Sequence, residues 1–145
     1  MALFDKVLKV RKSKVPGAGK GLFTTDFIPR GSKITEYKGK VKTWKEVKDD
    51  EGENNYIFYV NRNHVIDAKP SKKALARYAN DARGFTRVKG MRNNSIYATK
   101  GLKVYIEAVR DIPPGEEILV AYGKEYWDVA RENRRIDKKG KKKTA

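Results

Sequence analysis

Short apolar stretches, each closed by a turn signal, run along most of the chain. Residues 7–11 read as a first strand, and Leu22-Phe23 opens a second. Residues 33–38 read as extended, up to a break at Gly39. The strongest strand signal is Tyr56-Ile57-Phe58-Tyr59-Val60, aromatic and β-branched throughout. Asn61-Arg62-Asn63 turns it and residues 64–68 return, which predicts a hairpin. Residues 95–100 and 103–109 predict two more strands around Gly101. After the turn at residues 111–117, residues 118–122 read as a buried strand. Helical signal is sparse. A short helix opens at Thr43, a second covers 71–78 with Ser71 as its N-cap, and a third covers 124–136 with Tyr126, Trp127, Val129 and Ala130 on its apolar face. Ile28-Pro29-Arg30-Gly31 is a turn, residues 48–55 form a surface loop, and the chain beyond Asp137 reads as disordered. Many short strands with few helices predict a mostly β domain. The absence of regular βα alternation disfavours a doubly wound nucleotide-binding sheet.

Size and composition narrow the picture. A chain of 145 residues suits one compact domain. With no cysteine, disulfides and thiolate metal sites are excluded, and the one histidine, His64, builds no zinc site alone. No apolar run is long enough for a membrane span and no signal peptide is evident. The expected location is intracellular: cytoplasmic in a prokaryote, nuclear in a eukaryote. The net charge of +16 attracts polyanions or acidic surfaces. Much of the excess lies between Arg131 and Lys143. That tail reads either as a solvated end or as a non-specific tether for DNA or RNA, which salt would weaken.

Four separated segments then fall in a telling order. Gly17-Ala18-Gly19-Lys20-Gly21-Leu22-Phe23 is followed by Glu36-Tyr37-Lys38-Gly39, then Arg77-Tyr78-Ala79-Asn80-Asp81-Ala82, then Gly115 through Tyr122-Gly123. Taken singly, the first is an ordinary glycine turn and the tyrosines are core aromatics with polar tips. In this order and spacing they resemble the SET-domain lysine methyltransferases over residues 6–128, leaving 129–145 as the end of a helix and a basic tail. The resemblance implies a SET-domain (β-clip) fold of several small sheets with a C-terminal pseudoknot. It also implies methyl transfer from S-adenosylmethionine, with S-adenosylhomocysteine as product and no metal, to a lysine of a protein substrate such as a histone. The alternative is a non-catalytic nucleic-acid- or chromatin-binding module on the same scaffold.

By motif match, Ala18, Gly19 and Lys20 fill the cofactor loop, where small residues let backbone approach a ligand. Tyr37 borders the cofactor, and Arg77, Asn80 and Asp81 occupy the family's Arg-Phe-x-Asn-His-Ser segment, which the resemblance implies binds the cofactor, with Asp81 in place of the histidine. Tyr122 matches the catalytic tyrosine and Tyr56 a second hydroxyl near the target amine. The asparagine of the family's Pro-Asn-Cys segment falls at Asn94, with Ser95 in the cysteine slot, or one residue earlier at Asn93. Tyr126 and Trp127 are candidates to replace the absent cysteine-rich closing segment, Trp127 against the cofactor. Val120 stands where many members carry an aromatic that limits the number of methyls, and Tyr78 or Tyr97 could supply that ring. An acidic stretch from Glu46 to Glu53 offers a groove for a basic substrate.

Overall fold

The computed structural model describes residues 3–47, 56–83 and 88–122. Within them, eight strands form three small antiparallel sheets. After a 3-10 turn at Asp5–Val7, β1 (Leu8–Lys12) pairs with β2 (Lys20–Thr24) in a two-stranded ribbon. β3 (Lys33–Glu36), β8 (Lys103–Ala108) and β7 (Ser95–Lys100) make a sheet in the order 3-8-7. β4 (Lys40–Lys42), β6 (His64–Asp67) and β5 (Ile57–Asn61) make the third, in the order 4-6-5. The predicted hairpin is β5–β6, with Asn63 N–H donating to Asn61 Oδ1 at 2.9 Å to close its turn.

Alternation explains how these strands share one core. On β8, Val104, Ile106 and Ala108 point inward while Lys103, Tyr105 and Glu107 lie further out. They meet Leu22, Ile28, Ile34, Ile112, Ile118 and Val120 in a continuous apolar cluster. β2 is buried from Gly21 to Thr24 because both its edges are covered. β1 lies on one edge. On the other, Ile118 N–H donates to Leu22 O at 2.7 Å and Thr24 N–H to Glu116 O at 3.1 Å.

Two local expectations change. Residues 118–122 are extended and buried through Val120, but they form no ladder. Their bonds go singly to several neighbours, with isolated parallel bridges from Leu119 to Asn80 and from Val120 to Ser95. The helix expected over 71–78 is a 3-10 helix at Leu75–Tyr78, and its cap position is Ala74, not Ser71. Ser71 instead closes a turn through its own carbonyl, which accepts from Ala74 N–H at 2.9 Å. The expected break at Gly39 falls between β3, which ends at Glu36, and β4, an edge strand of another sheet. β4 is anchored where Lys42 Nζ meets the buried Asp67 carboxylate at 2.8 Å.

The helix predicted at Thr43 is one turn, α1 (Trp44–Val47). Thr43 and Glu46 form a reciprocal cap: Glu46 Oε1 accepts from Thr43 N–H at 3.0 Å, and Glu46 N–H donates to Thr43 Oγ1 at 3.3 Å. The Thr43 N–H lowers the Glu46 pKa below its ordinary 4.5. Glu46 is thus engaged in its own helix turn. The rest of the proposed acidic groove, with the expected helix at 124–136 and the tail, lies outside the described residues.

Candidate active site

One extended segment, residues 117–122, organises the site. At its centre Asn94, 1% exposed, binds it with both ends of its amide. Asn94 Nδ2 donates to Glu117 O at 2.8 Å, and Asn94 Oδ1 accepts from Leu119 N–H at 3.0 Å and from the Ser95 hydroxyl at 2.8 Å. Val120 N–H donates to Asn80 O at 2.8 Å on the opposite side. The segment therefore passes between the 79–81 stretch and the 93–95 stretch, an insertion of the kind the pseudoknot implied. The structure also separates the two asparagines. Asn94 holds residues 117–119, whereas Asn93 serves Asp81: its Nδ2 donates to Asp81 Oδ1 at 2.9 Å and its Oδ1 accepts from Ala82 N–H at 2.8 Å.

The N-terminal end of this segment grips the glycine loop. The Glu117 carboxylate, 3% exposed, accepts from the Ser13 hydroxyl at 2.5 Å and from Lys14 N–H at 2.9 Å. A side chain at Gly21 would run into that carboxylate, so the close approach requires glycine. Beyond Lys14 the loop turns through Gly17 and Gly19, both at positive φ (75° and 72°), with open space where a Cβ would stand. Ser13 N–H closes the loop on Gly19 O at 2.7 Å. Asn80 Nδ2 donates to Lys20 O at 2.9 Å, which ties the loop to the 79–81 stretch. Asn80 Oδ1 takes no partner among the described residues.

The C-terminal end carries Tyr122. Its hydroxyl donates to Ala79 O at 2.6 Å and its backbone N–H to Asp81 Oδ2 at 2.9 Å. Because the phenolic proton is directed at Ala79, the oxygen offers its lone pairs to anything else that approaches. The ring stacks on Tyr97 with centroids 6.4 Å apart. Tyr97 meets Phe58 at 5.1 Å and Tyr37 at 5.9 Å, and Tyr37 meets Phe58 at 5.9 Å. The four rings line one aromatic wall. Tyr37 is 5% exposed, and its hydroxyl donates to Tyr56 O at 2.7 Å. The Tyr56 ring lies under the Arg77 guanidinium at 4.1 Å. Arg77 also donates to Ala68 O and Lys69 O at 3.0 and 2.8 Å.

Of the residues read from sequence, Lys20, Asn80, Asp81 and Tyr122 are joined directly or through one neighbour. Tyr37, Tyr56 and Arg77 form an adjoining group. Ala18 packs with Val15, Ala82 and Leu119 beside the loop, and Trp127 lies outside the described residues. Sequence reasoning missed the roles of Ser13, Phe58 and Glu117. Glu117 lies inside a quoted motif, yet only the fold reveals which segment its carboxylate meets.

A mostly β domain with an inserted C-terminal segment that is tied to a glycine loop at one end and carries an anchored tyrosine at the other defines a SET-type protein. The comparisons agree. The SET domain family model matches residues 19–123, and the chain belongs to that family. It is similar to the methyltransferase domain of human PR domain-containing protein 2, with a TM-score of 0.60 and 29% identity, over 81% of this chain and 77% of that one. It is 28% identical over 124 residues to the histone-lysine N-methyltransferase set-17 of Caenorhabditis elegans, over 83% of this chain and 42% of that protein. It is 28% identical over 120 residues to the N-lysine methyltransferase KMT5A-A of Danio rerio, over 75% and 33% respectively. The chain spans less than half the length of either of these two relatives.

Proposed function

We propose that this protein methylates the side-chain amine of a lysine in a protein substrate, with S-adenosylmethionine as the donor. The observation that carries the reading is the Tyr122 hydroxyl, held 2.6 Å from Ala79 O in the same 79–81 stretch whose Asn80 ties down the glycine loop. The donor fits the residues present. Gly17 and Gly19 leave room for close backbone approach, and the Asn80 Oδ1 acceptor suits the ammonium of an amino-acid moiety. When bound, the donor would supply an electrophilic methyl on a sulfonium, with a neutral thioether as the leaving group, to an amine that has already lost its proton.

The protein's own task is to keep that amine neutral and aligned. A free lysine has a pKa of about 10.4, so only about one in a thousand is neutral near pH 7.4. An apolar wall of Tyr37, Phe58, Tyr97 and Tyr122 disfavours the ammonium through desolvation. The Tyr122 oxygen then orients the amine without a full negative charge that would hold its proton in place. Tyr97, stacked on Tyr122, is the better placed of the two rings considered for limiting methyl number, because the Tyr78 hydroxyl is turned to Lys72 O at 2.6 Å. A histone is the leading substrate, on the strength of what the Caenorhabditis elegans relative is named for. That substrate would place the protein at chromatin if its source is eukaryotic.

The test is transfer of a tritiated methyl group to mixed core histones, with the modified residue read by mass spectrometry. Tyr122→Phe should lower kcat by about 100-fold or more while donor affinity by calorimetry changes little. Absence of donor binding, or equal transfer by the variant, refutes the reading. The net charge of +16 favours a second reading, a polyanion-binding role, with Lys9, Arg11 and Lys12 exposed on β1. It predicts that duplex DNA binds in fluorescence anisotropy, and that added salt abolishes the binding.

A further inference from the structure

A buried carboxylate stands where the resemblance expects a histidine, and nothing in the proposed chemistry uses it. Asp81 is 4% exposed. Its two oxygens reach three separate points. Oδ1 accepts from Arg83 N–H at 2.9 Å and from Asn93 Nδ2 at 2.9 Å, and Oδ2 accepts from Tyr122 N–H at 2.9 Å. Asn93 is fixed in turn, since its Oδ1 accepts from Ala82 N–H at 2.8 Å. The orientation of the carboxylate is therefore determined from the side opposite Tyr122. Two residues earlier in the same stretch, Ala79 O receives the Tyr122 hydroxyl. The tyrosine is held at its amide and at its phenol by residues 79 and 81 of one short segment.

We infer that Asp81, oriented by Asn93, is the positioning residue for Tyr122. Its carboxylate anchors the tyrosine's backbone and so sets where the phenolic oxygen stands relative to the acceptor amine. This rests on the proposed role of Tyr122. The geometry explains why an aspartate serves here. The site needs acceptors on two faces at once, and an ionised carboxylate offers acceptors only. An amide at 81 must turn its NH2 toward either Tyr122 N–H or the Asn93 and Arg83 donors, so one face is always lost. Exchanging the pair should restore the bond. In Asp81→Asn/Asn93→Asp the new carboxylate at 93 accepts from Ala82 N–H and from the amide at 81, whose oxygen is left facing Tyr122 N–H; only the Arg83 N–H bond to residue 81 is not restored.

The experiment uses the full chain in four forms: wild type, Asp81→Asn, the exchanged double variant, and Val47→Ala as a destabilised control in α1. The first readout is the Tyr122 amide resonance and its hydrogen exchange, which need no turnover. Asp81→Asn should shift that resonance upfield and speed its exchange at least tenfold, and the exchange variant should reverse both. The second is kcat and KM for tritiated methyl transfer to core histones, with methyl number by mass spectrometry. Asp81→Asn should lower kcat about 30-fold with donor Kd within about threefold, and should alter the distribution of methyl numbers. The double variant should recover most of kcat. An unmoved Tyr122 amide in Asp81→Asn overturns the inference. So does a kcat loss no greater than that of Val47→Ala at matched fraction folded. Wild-type protein that binds no donor and transfers no methyl refutes the functional reading instead, and the amide measurements then decide the clamp separately.

Discussion

Asn94 offers the sharpest test of how the site is held together. Replacing it with alanine removes the amide that binds residues 117 and 119. Leu119 N–H and Glu117 O then lose the side-chain partner shown for each, in a region where Asn94 and Ser95 are 1% exposed and Glu117 is 3% exposed. The Ser95 hydroxyl also loses its acceptor, but it can rotate. Leaving a buried backbone group unpaired costs about 1–3 kcal/mol, so two such groups place the loss at about 2–6 kcal/mol. A domain of this size is stable by only about 5–15 kcal/mol, so the variant stands near the edge of folding. Urea unfolding followed by far-ultraviolet dichroism gives the total. Hydrogen exchange at Leu119 and Val120 shows whether the loss is local. Asn94→Asp provides an internal check: it keeps acceptors for Leu119 and Ser95 but sets a carboxylate oxygen against Glu117 O, and it should be no better tolerated. A loss below about 1 kcal/mol for Asn94→Ala, with Leu119 still protected, would show that residues 117–122 hold themselves in place without this residue.

Other expectations concern single contacts. Glu117→Gln turns an NH2 toward Ser13 or Lys14; because hydrogen bonds to charged groups carry about 1.5–3 kcal/mol, calorimetry should show donor affinity lowered about tenfold or more. Lys42→Met removes the Lys42 ammonium from the buried Asp67 carboxylate, which keeps its Lys69 N–H bond; with Lys42 itself 24% exposed, the loss should be about 2 kcal/mol in urea unfolding, below that of a fully buried pair. The lowered Glu46 pKa means that its cap on α1 is in force above the ordinary 4.5 and is lost as pH falls through the lower folded value. Amide exchange at Thr43, corrected for intrinsic rate, should therefore lose protection under acid, and Glu46→Ala should abolish that pH dependence.

Local signals carried the strands that pair with near neighbours. The β5–β6 hairpin was legible because aromatic and β-branched residues flank an Asn-rich turn, and β7 and β8 because they meet around Gly101. β4 was not, since three residues reading Lys-Val-Lys leave no period to detect. Residues 118–122 were apolar enough to predict burial, yet their partners lie at 22, 80 and 94–95, separations that no local pattern reports. The motif match supplied the right neighbourhood for Asn80 and Tyr122. It left Asn93 and Asn94 interchangeable, and the structure shows that the adjacent asparagines serve different clients, Asp81 and Glu117. The same match put Asp81 in the cofactor-binding segment, in place of a histidine. Its importance depends on an amide 41 residues away in the sequence.

Two buried carboxylates then acquire a common logic. Glu117 begins the inserted segment and holds the glycine loop through Ser13 and Lys14. Asp81 receives the amide at the other end, from Tyr122. Between them lie five extended steps, about 17 Å of chain, with Asn94 and Asn80 fixing the middle. If the loop holds the donor and Tyr122 addresses the acceptor, the separation of the two reactants is set by this one strand. It forms no ladder that could slip in register, because its bonds are divided among β2, the 79–81 stretch and the 93–95 stretch. In-line transfer tolerates little misplacement of its two ends. Such an arrangement explains why so small a domain places buried polar side chains around a single strand, where apolar packing alone would bury it without fixing its register.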